Sequence, residues 1–588
     1  MSYRPSIKDI SFCLQQVIGI DEFYQSEGFP DLDSDIVNAV LEAAGDLARD
    51  VLAPINVIGD HQGARLENGQ VIIAEGFGEA LKVYAEGGWN GLTAEPEHGG
   101  QGLPKTLEQA CFELFHSANM AFTLNPTLTL GAIEALSAYG NARQKTIYLP
   151  KLVSGAWCGT MNLTEPQSGS DLSTLTTIAQ PTGEGLYRLT GQKIFITWGD
   201  HEACDNIVHL VLARLPDAPA GTRGISLFLC PKYLIDENGH IGERNTVRAV
   251  GLEHKMGIHA SPTCVMAYED ALAEMVGPPN EGLAAMFVMM NAARLAVGTQ
   301  GVGIADRAWQ QAQTYAHERR QGKSALTGAS NTPIYDHPDV RLTLAISKAK
   351  IEAARAICLL TAQAFDRARK GPESDRTRAK RREDFLVPIA KAWSTQVGCD
   401  VASAGVQVHG GMGFIEESGA AQHYRDARIA PIYEGTNGIQ AADLVGRKLS
   451  QDNGLAAQEL IQDISHLIEH NESKYVFHIK AALEIFKTAT KWIIENKTSD
   501  GASVATAANR YLMLSGDLIG GWLLAKAAVA AKELIDQGHD DTSWLNTKIA
   551  LNDIYASQIL SAASSHMTAI LMTAAPLLSL SYEAVFPE

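Results

Sequence analysis

The sequence lacks an excess of positive charge. It contains 48 Lys and Arg against 67 Asp and Glu, which gives a formal net charge of −19 at pH 7. A general nucleic-acid binder needs a basic surface that neutralises phosphates. The charge balance therefore argues against that class, while a local basic groove for a small anionic molecule stays compatible with it.

The chain also lacks paired cysteines and long apolar runs. Its eight cysteines are scattered, with no CxxC pair and no Cys/His cluster at metal-ligand spacing, so the sequence predicts no metal site and a reducing, cytoplasmic compartment. The N-terminal residues contain no apolar segment typical of a signal peptide. We find no run of about 18 uncharged apolar residues, and the most apolar stretch, 518–531, is short. The sequence therefore predicts no transmembrane segment.

The hydrophobic periodicity divides the chain into several parts. With 588 residues, of which 46% are hydrophobic, more than one domain is expected. Apolar residues recur at helical spacing in the first and last parts, and short strands are predicted at 187–190, 193–197, 207–212 and 225–229. The pattern predicts an α+β fold that is mostly α, with five parts: an N-terminal extension at 1–35, a helical domain at 36–156, a β domain at 157–280, a second helical domain at 281–450 and an additional helical domain at 451–588.

Two local features give further structural expectations. The glycines around Gly298 and Gly301 lie inside a helical pattern, where small residues favour close helix packing rather than a dinucleotide loop. The basic stretch 367–382 is interrupted by Gly371 and Pro372 and predicts a solvated loop between helices, with a docking patch for an acidic partner as the alternative.

One segment near residue 434 places a carboxylate on a glycine-rich bend. It reads Pro-Ile-Tyr-Glu-Gly-Thr-Asn-Gly-Ile-Gln over residues 431–440. Glycine at a bend lets the neighbouring Glu434 point into a cavity without obstruction from its own backbone. On its own, the segment is more typical of a solvated turn, because most Glu residues in turns are solvated.

Two upstream segments suit a flat, polar ring. Residues 160–171 carry several hydroxyls and small side chains beside Pro166, and such a loop can present N–H and O–H groups to a ring or a phosphate. On the following predicted strand, Phe195 and Thr197 point to the same face. An ordinary connecting loop and ordinary cross-strand packing remain the alternatives.

Considered as an ordered set, these segments resemble the acyl-CoA dehydrogenase family, from about Trp89 to Leu449. The segments that carry the resemblance are Thr-Glu-Pro-x-x-Gly-Ser-Asp at 164–171, Gly-Gln-Lys-x-x-Ile-Thr at 191–197, Arg294, Glu318-Arg319, the turn at 407–411, and Tyr433-Glu434-Gly435-Thr436. The extended N-terminus and the helical region after Ser450 resemble a long bacterial subgroup of this family.

The resemblance implies a fold and a reaction. The fold comprises a helical N-terminal domain, a central β domain and a C-terminal four-helix bundle, here with an extra C-terminal helical domain. The reaction is the FAD-dependent α,β-dehydrogenation of an acyl-CoA thioester to the trans-2-enoyl-CoA. Glu434 matches the catalytic base, and Ala293, where some relatives carry the base, has no acid group. The resemblance leaves 3-methylthiopropanoyl-CoA and straight-chain acyl-CoAs both open as substrates.

The resemblance also implies contacts for individual residues. FAD-binding positions match Leu163, Thr164, Gly169, Ser170, Phe195, Thr197, Arg319, Gln407, Gly410, Gly411, Thr436 and Asn437, and substrate-binding positions match Ser170, Asn291 and Arg294. Three positions depart from the family pattern: Phe195 stands where Trp is common, Asn291 stands where Asp is common, and the segment after Arg319 lacks the usual aromatic residue.

The resemblance also implies partners for the protein, and two alternative functions stay open. The resemblance implies an electron-transfer flavoprotein as electron acceptor and a homodimer, in which Arg319 and Gln407 reach the FAD of the neighbouring subunit. An acyl-CoA oxidase that uses O2, and a non-enzymatic flavin-bearing protein associated with nucleic acid, are alternatives on the same scaffold. The last helices, with Trp522, Lys526 and Lys532, are predicted to pack against protein, with a membrane-surface anchor as the alternative.

Overall fold

The computed structural model describes residues 3–24, 28–30, 32–183, 185–470, 476–572 and 574–586. Two units are distinguished within the chain. The first consists of Met1–Pro5 and Val40–Ala296, and the second consists of Ser6–Ala39 and Val297–Glu588. The domain boundaries expected from the sequence are finer than this division and stay predictions.

The N-terminal part of the chain is helical, as its periodicity predicts. Asn141 begins one of these helices with a capping box, because its Oδ1 accepts the Gln144 N–H (2.9 Å) and Gln144 Oε1 accepts the Asn141 N–H (3.0 Å). The helices are α1 Ile7–Phe12, α2 Ile20–Phe23, α3 Ser34–Leu47, α4 Ala53–Gln62, α5 Phe77–Glu86, α6 Lys105–Ala118, α7 Met120–Tyr139 and α8 Ala142–Val153.

All the strands found in the described residues lie in the first unit. They are β1 Arg65–Glu67, β2 Gln70–Ile72, β3 Trp157–Asn162, β4 Ile178–Gly183, β5 Leu186–Thr197, β6 Asn206–Arg214, β7 Ile225–Pro231, β8 Tyr233–Ile235, β9 Ile241–Arg244, β10 Val247–Leu252 and β11 Thr263–Val276. The four strands predicted from the sequence are confirmed, although the two at 187–190 and 193–197 form the single strand β5.

Seven of these strands form one mixed sheet. Its order is β10-β11-β5-β4-β6-β3, and β7 pairs with both β11 and β6. These pairings join β11, β5, β4, β6 and β7 in a closed ring of strands. Apolar side chains that point inward from it are buried, among them Leu189, Val211 and Phe228, and their removal from water stabilises the sheet.

The second unit contains α1, α2, the start of α3 and the helices that follow the strands. The helices that follow the strands are α9 Gly282–Glu318, whose first part belongs to the first unit, α10 Pro338–Lys370, α11 Glu373–His409, α12 Ala420–Ala427, α13 Asn437–Asp443, α14 Leu449–Gln451, α15 Leu455–His470, α16 Phe477–Asn496, α17 Gly501–Asp536, α18 Thr542–Gln558, α19 Ala563–Ile570, α20 Ala575–Leu578 and α21 Tyr582–Val585. The predicted fold class, mostly helical with a central β domain, is confirmed.

Glycines let α9 and α11 approach closely. A Cβ at Gly301 would lie 2.3 Å from the carbonyl oxygen of Ser394, and one at Gly298 would lie 2.8 Å from that of Ala390. Both distances are too short for any side chain, so the prediction that these glycines permit close packing is confirmed.

Two helices, α9 and α17, are long and apolar enough to cross a membrane by length and composition alone. Their apolar windows are 67% and 83% buried inside the protein, which is typical of core helices. The stretch 518–531 is therefore part of a longer apolar helix than the sequence suggested. Within it, Trp522 and Leu523 are buried, which supports packing against protein and not a membrane-surface anchor.

The basic stretch 367–382 is not a loop, and that prediction is wrong. Helix α10 runs to Lys370, and α11 begins at Glu373. Arg381 pairs with Glu459 at 2.6 Å, and Arg382 pairs with Asp463. Acidic residues on α15 therefore balance the basic charges, so a composition typical of a solvated loop is accommodated in a helix.

Helix α1 joins the C-terminal helices through a buried carboxylate. Asp9 accepts hydrogen bonds from Lys348 Nζ (2.7 Å), Lys548 Nζ (2.7 Å) and Trp544 Nε1 (3.1 Å). Burial alone would raise the pKa of Asp9, but the two lysines and Arg355 hold it well below its ordinary value. The charged pairs fix α1 to α10 and α18 within the second unit, a contact that the sequence did not predict.

Candidate active site

The loop after β3 is held by one buried carboxylate. Glu165 Oε1 accepts from Lys193 Nζ (2.8 Å) and from the Thr177 N–H (3.0 Å), and its Oε2 accepts from the N–H and the hydroxyl of Thr176, both at 2.7 Å. Glu165 is 2% exposed and Lys193 is fully buried. Glu165 and Lys193 are far apart in the sequence, and the sheet places their side chains in contact.

Lys193 also fixes the backbone of the loop. Its Nζ donates to the carbonyl of Leu163 (2.9 Å), and the next N–H, that of Ile194, donates to the carbonyl of Thr164 (2.9 Å). Burial raises the pKa of Glu165, but Lys193 and the threonine hydrogen bonds outweigh it and lower the pKa to about 2. Burial lowers the pKa of Lys193 to about 8, against the opposing effect of Glu165. Both groups are therefore charged at pH 7.

The predicted loop residues differ in exposure. Leu163 and Thr164 are half-buried, and Gly169 and Ser170 are exposed. A Cβ at Gly169 would meet no atom within 4 Å, so the space beside it is open. The loop presents accessible hydroxyls on a rigid base, as a site that binds a polar ring requires.

Phe195 lies at an irregularity of β5. The pairing of β5 with β11 shifts between Cys264 and Met266, and Phe195 has φ 60° there. Its side chain is 57% exposed, and Thr197 beside it is half-buried. The bulge aims an aromatic ring outward at a position where a buried ring would be favoured.

Asn291 and Arg294 lie on consecutive turns of α9. Arg294 Nη1 is 3.5 Å from Asn291 Oδ1, and the guanidinium carbon lies 5.9 Å from the centre of the Phe287 ring. Arg294 is 5% exposed. The helix thus holds one cation and one amide on the same side, and the adjacent Ala293 contributes no acid.

In the second unit, Glu434 lies on a tight turn. Its φ is 55° and that of Gly435 is 83°, so two successive residues adopt the left-handed conformation. The Gln440 amide donates to the carbonyls of both residues at 3.3 Å. Tyr433 donates its hydroxyl proton to Gln300 Oε1, and burial, with the nearby Glu434 carboxylate, raises the pKa of Tyr433. These contacts fix the turn, and the Glu434 side chain is half-buried.

The residues after Glu434 face a cavity of about 680 Å³. Thr436 caps α13 by accepting the Ile439 N–H at 3.2 Å. The Asn437 amide contacts Lys391 Nζ (3.1 Å) and the carbonyl of Ala392 (3.1 Å). Both residues line the cavity, with Lys350, Gln396, Cys399, Asp400, Ser403, Tyr424, Arg428, Pro431, Ile432 and Gly438. Its volume is within the usual range for small-molecule sites.

Arg319 follows the end of α9, and the turn at 407–411 lies at the end of α11. His409 stacks on Tyr315 with ring centres 4.4 Å apart, which joins the end of α11 to the end of α9. Gly410 ends α11 with φ 59°. Arg319, Gln407, Gly410 and Gly411 are all exposed.

Two of the predicted site residues share a backbone feature that the sequence did not reveal. In the described part of the chain, nine non-glycine residues have positive φ, and five of them are Asn or Asp, which tolerate it. The other four are Phe195, Trp198, Ile258 and Glu434. Such strain persists where function requires a particular side-chain direction, and two of these four are predicted site residues.

Family models of known proteins match most of the chain, from residue 38 to residue 581. Four family models match: "Acyl-CoA dehydrogenase, N-terminal domain" over 38–156, "Acyl-CoA dehydrogenase, middle domain" over 160–271, "Acyl-CoA dehydrogenase, C-terminal domain" over 280–449, and "Acetyl-CoA dehydrogenase C-terminal like" over 460–581.

Individual relatives match along almost the entire chain. The 3-methylmercaptopropionyl-CoA dehydrogenase of Ruegeria pomeroyi is 44% identical over 589 residues, covering 99% of this chain and 100% of the relative. A broad-specificity linear acyl-CoA dehydrogenase of Mycobacterium tuberculosis is 32% identical and covers 95% of both chains. Among solved structures, an acyl-CoA dehydrogenase complexed with FAD from Bacillus anthracis has a TM-score of 0.74 at 22% identity, covering 99% of this chain and 94% of that one.

Proposed function

The chain belongs to the acyl-CoA dehydrogenase family and is an FAD-dependent acyl-CoA dehydrogenase, and we propose that Glu434 is its catalytic base. The backbone strain at this residue supports the assignment. A left-handed non-glycine residue costs about 1–3 kcal/mol, and a glutamate would avoid it in a solvated turn. The surrounding hydrogen bonds retain the strained conformation, which is expected if the direction of the carboxylate is required.

Glu434 removes the α proton of the thioester. The α C–H is a weak acid, so its removal requires a carboxylate held close to it and shielded from water. Bound FAD supplies the acceptor for the β hydrogen, which leaves as a hydride. The backbone N–H of Glu434 donates to the thioester oxygen, where negative charge develops.

The loop and strand residues of the first unit hold the isoalloxazine end of FAD in this proposal. The hydroxyls of Thr164, Ser170 and Thr197 supply hydrogen bonds, and the exposed Phe195 ring supplies a stacking surface. The open space at Gly169 fits a close approach of the cofactor, and Leu163 lies at the base of the loop. Phe195 lacks the indole N–H of a tryptophan, so this contact is apolar.

The exposed residues of the second unit hold the nucleotide end. The guanidinium of Arg319 pairs with the pyrophosphate, and Gln407, Gly410 and Gly411 complete that contact. Thr436 and Asn437 contact the adenosine, and the cavity that they line supports this role.

We propose a homodimer in which Arg319 and Gln407 contact the FAD of the neighbouring subunit. Their exposure supports the proposal, as do the adjacent apolar side chains of Met412, Phe414 and Ile415, which are 51%, 84% and 45% exposed. Apolar side chains at this density are typical of an interface.

The proposed substrate is 3-methylthiopropanoyl-CoA. The similarity to the Ruegeria pomeroyi enzyme, at 44% identity over almost the whole of both chains, supports it. Ser170, Asn291 and Arg294 contact the substrate in this proposal, and the last of these contributes a cation for the anionic CoA moiety. The electron acceptor is an electron-transfer flavoprotein, and the compartment is the cytoplasm, where the eight free cysteines stay reduced.

Anaerobic bleaching of the bound flavin across a panel of acyl-CoAs tests the substrate. We expect 3-methylthiopropanoyl-CoA to give the highest rate of bleaching and to yield the 2-enoyl product. A straight-chain acyl-CoA that bleaches the flavin faster at equal saturation would contradict the substrate but leave the dehydrogenation unaffected. Replacing Glu434 by Gln should lower turnover by about 10²–10⁴-fold with FAD retained, whereas Glu417→Gln, at an exposed acid of the same unit, should not change it.

A further inference from the structure

Two cysteines and a histidine gather in the first unit. Cys158 lies on β3, and His201 and Cys204 lie in the segment between β5 and β6. Their sulfur and ring nitrogen atoms all lie within 4.8 Å of one another. Cys158 and His201 are buried and Cys204 is half-buried. Neither the proposed base nor the proposed cofactor contacts include any of the three.

The sheet brings the two cysteines together. β3 and β6 are parallel, with Cys158 opposite Ile207. Just before β6, the Asp205 N–H donates to the carbonyl of Ala156 at 3.0 Å. The segment that carries Cys204 therefore lies beside the start of β3, and the two sulfurs approach across neighbouring chain segments.

His201 is held in a fixed orientation. Lys232 Nζ donates to its carbonyl at 2.7 Å and pairs with Asp200 at 2.9 Å. The ring of Trp198 packs edge-on against the imidazole, with ring centres 5.2 Å apart. A ring held in this way has a defined pattern of hydrogen bonds.

The hydrogen bonds of the His201 ring distinguish a metal site from a pair of thiols. The Ala203 N–H points at His201 Nδ1 (3.1 Å), so Nδ1 accepts, and in neutral imidazole Nε2 then carries the proton. A protonated Nε2 cannot bind a metal ion. Nε2 instead faces the Asn125 amide, 3.4 Å away.

The Asn125 amide lies between His201 and Cys158, so its orientation determines the hydrogen bond that Cys158 makes. In the structure, the amide nitrogen of Asn125 faces His201 Nε2 (3.4 Å) and the amide oxygen faces Cys158 Sγ (3.5 Å). A half-turn of the amide exchanges its oxygen and nitrogen, so that Nε2–H donates to the amide oxygen and the amide N–H2 donates to Cys158 Sγ. In that orientation the sulfur of Cys158 accepts a hydrogen bond, which stabilises a thiolate.

Cys204 has the opposite role. Its S–H donates to the carbonyl of Asn206 at 3.0 Å, so it keeps its proton. Burial raises the pKa of Cys204, and the neighbouring Cys158 raises it further. The proximity of Cys204 is the largest cause that lowers the pKa of Cys158 well below its ordinary value, and His201 and Asn125 contribute further, against the opposing effect of burial. One thiolate beside one thiol is the arrangement of a reactive pair.

We propose that Cys158 and Cys204 form a peroxide-sensitive thiol pair, which a hydroperoxide converts into a disulfide. The thiolate of Cys158 attacks a peroxide oxygen, so that an S–O bond forms and the O–O bond breaks, and the leaving alkoxide or hydroxide takes up a proton. Cys204 then attacks the sulfenic sulfur. The S–S bond forms, the S–O bond breaks, and the hydroxyl leaves as water with the Cys204 proton. Two thiols and one hydroperoxide thus give a disulfide, an alcohol or water, and water.

Titration of the holoenzyme with hydrogen peroxide tests the pair. After alkylation and digestion, mass spectrometry should find a peptide that links Cys158 to Cys204, and dithiothreitol should remove the link. Cys111 and Cys230 are matched controls, because both are fully buried and burial raises the pKa of each thiol. The Cys158 thiol should disappear roughly tenfold or more faster than theirs. Loss of all four thiols at the same rate, or purified protein that holds equimolar zinc at these residues, would overturn the proposal.

Two variants separate the steps. In Cys204→Ser, peroxide should convert Cys158 to a sulfenic acid that dimedone traps. In Cys158→Ser, Cys204 should give no dimedone adduct. A dimedone adduct at Cys204 but not at Cys158 would overturn the assigned order. If the second variant does not fold, the wild-type titration decides alone.

Discussion

The buried pair of Glu165 and Lys193 gives a prediction that can be developed quantitatively. Replacing Glu165 by Gln keeps the shape of the side chain and removes the charge. Lys193, fully buried, is then left without a counter-charge, and one end of the new amide presents its N–H2 to donors of the loop. Breaking a buried pair in this way costs about 3–5 kcal/mol.

The pKa of Glu165 gives a figure of the same order. It lies at about 2, against an ordinary value of 4.5, and each pKa unit corresponds to about 1.4 kcal/mol, so the charged form contributes about 3 kcal/mol to stability. Because the folded pKa is lowered, this contribution is fully present above about pH 4.5 and is lost as the pH falls towards 2. The difference between wild type and variant should therefore be constant at neutral pH and shrink in acid.

Urea unfolding followed by tryptophan fluorescence measures this difference. The matched control is Glu269→Gln, which breaks the exposed pair with Arg248 (2.8 Å) on β10 and β11 and should cost about 1 kcal/mol or less. The carbonyls of Leu163 and Thr164 depend on Lys193 and its neighbour, so Glu165→Gln should also weaken FAD binding. A Glu165→Gln protein as stable as the Glu269→Gln control at pH 7 would refute this reasoning.

Three further predictions concern packing, pH and the cofactor. Gly301→Ala should lower the free energy of unfolding by about 1–3 kcal/mol, because its Cβ would meet the Ser394 carbonyl. Gly446→Ala is the control and should be neutral, since a Cβ there would meet no atom within 4 Å. Equal effects of the two substitutions in a urea titration would contradict the close packing. Burial lowers the pKa of His423 to about 3, so the free energy of unfolding should fall as the pH falls from about 6.5 towards 3. This fall should be less steep in His423→Gln than in His240→Gln, the exposed control. Parallel curves of stability against pH in the two variants would contradict this. Arg319→Ala should weaken FAD binding by roughly 10–150-fold, as loss of a charge-assisted contact implies, and Arg320→Ala should not; equal FAD retention in the two variants would argue against the pyrophosphate contact.

Much of the fold could be predicted because it depends on local patterns. The strands β5, β6 and β7 follow from alternation, and the glycines at 298 and 301 indicate close helices without any knowledge of the partner. The motif residues follow from the family resemblance. The loop predicted at 367–382 was wrong because Arg381 and Arg382 are neutralised by Glu459 and Asp463, and such pairing between distant segments leaves no local signal.

The geometry of the candidate site was less accessible from the sequence. Phenylalanine has no intrinsic preference for positive φ, and the positive φ of Phe195 arises from the shifted pairing of β5 with β11. The same holds for the partners of Glu165 and for the approach of Cys158 to Cys204. Only the His-x-x-Cys spacing of His201 and Cys204 could have suggested the last of these.

Deuterium exchange at the α carbon tests the role of Glu434 most directly. Wild-type protein and Glu434→Gln, both loaded with FAD, are incubated with an acyl-CoA in D2O without oxygen, and mass spectrometry follows the label in the thioester. We predict that the wild type incorporates deuterium and that Glu434→Gln, while still binding FAD and acyl-CoA, does not. Exchange at the wild-type rate in Glu434→Gln would contradict the assignment of this carboxylate as the base.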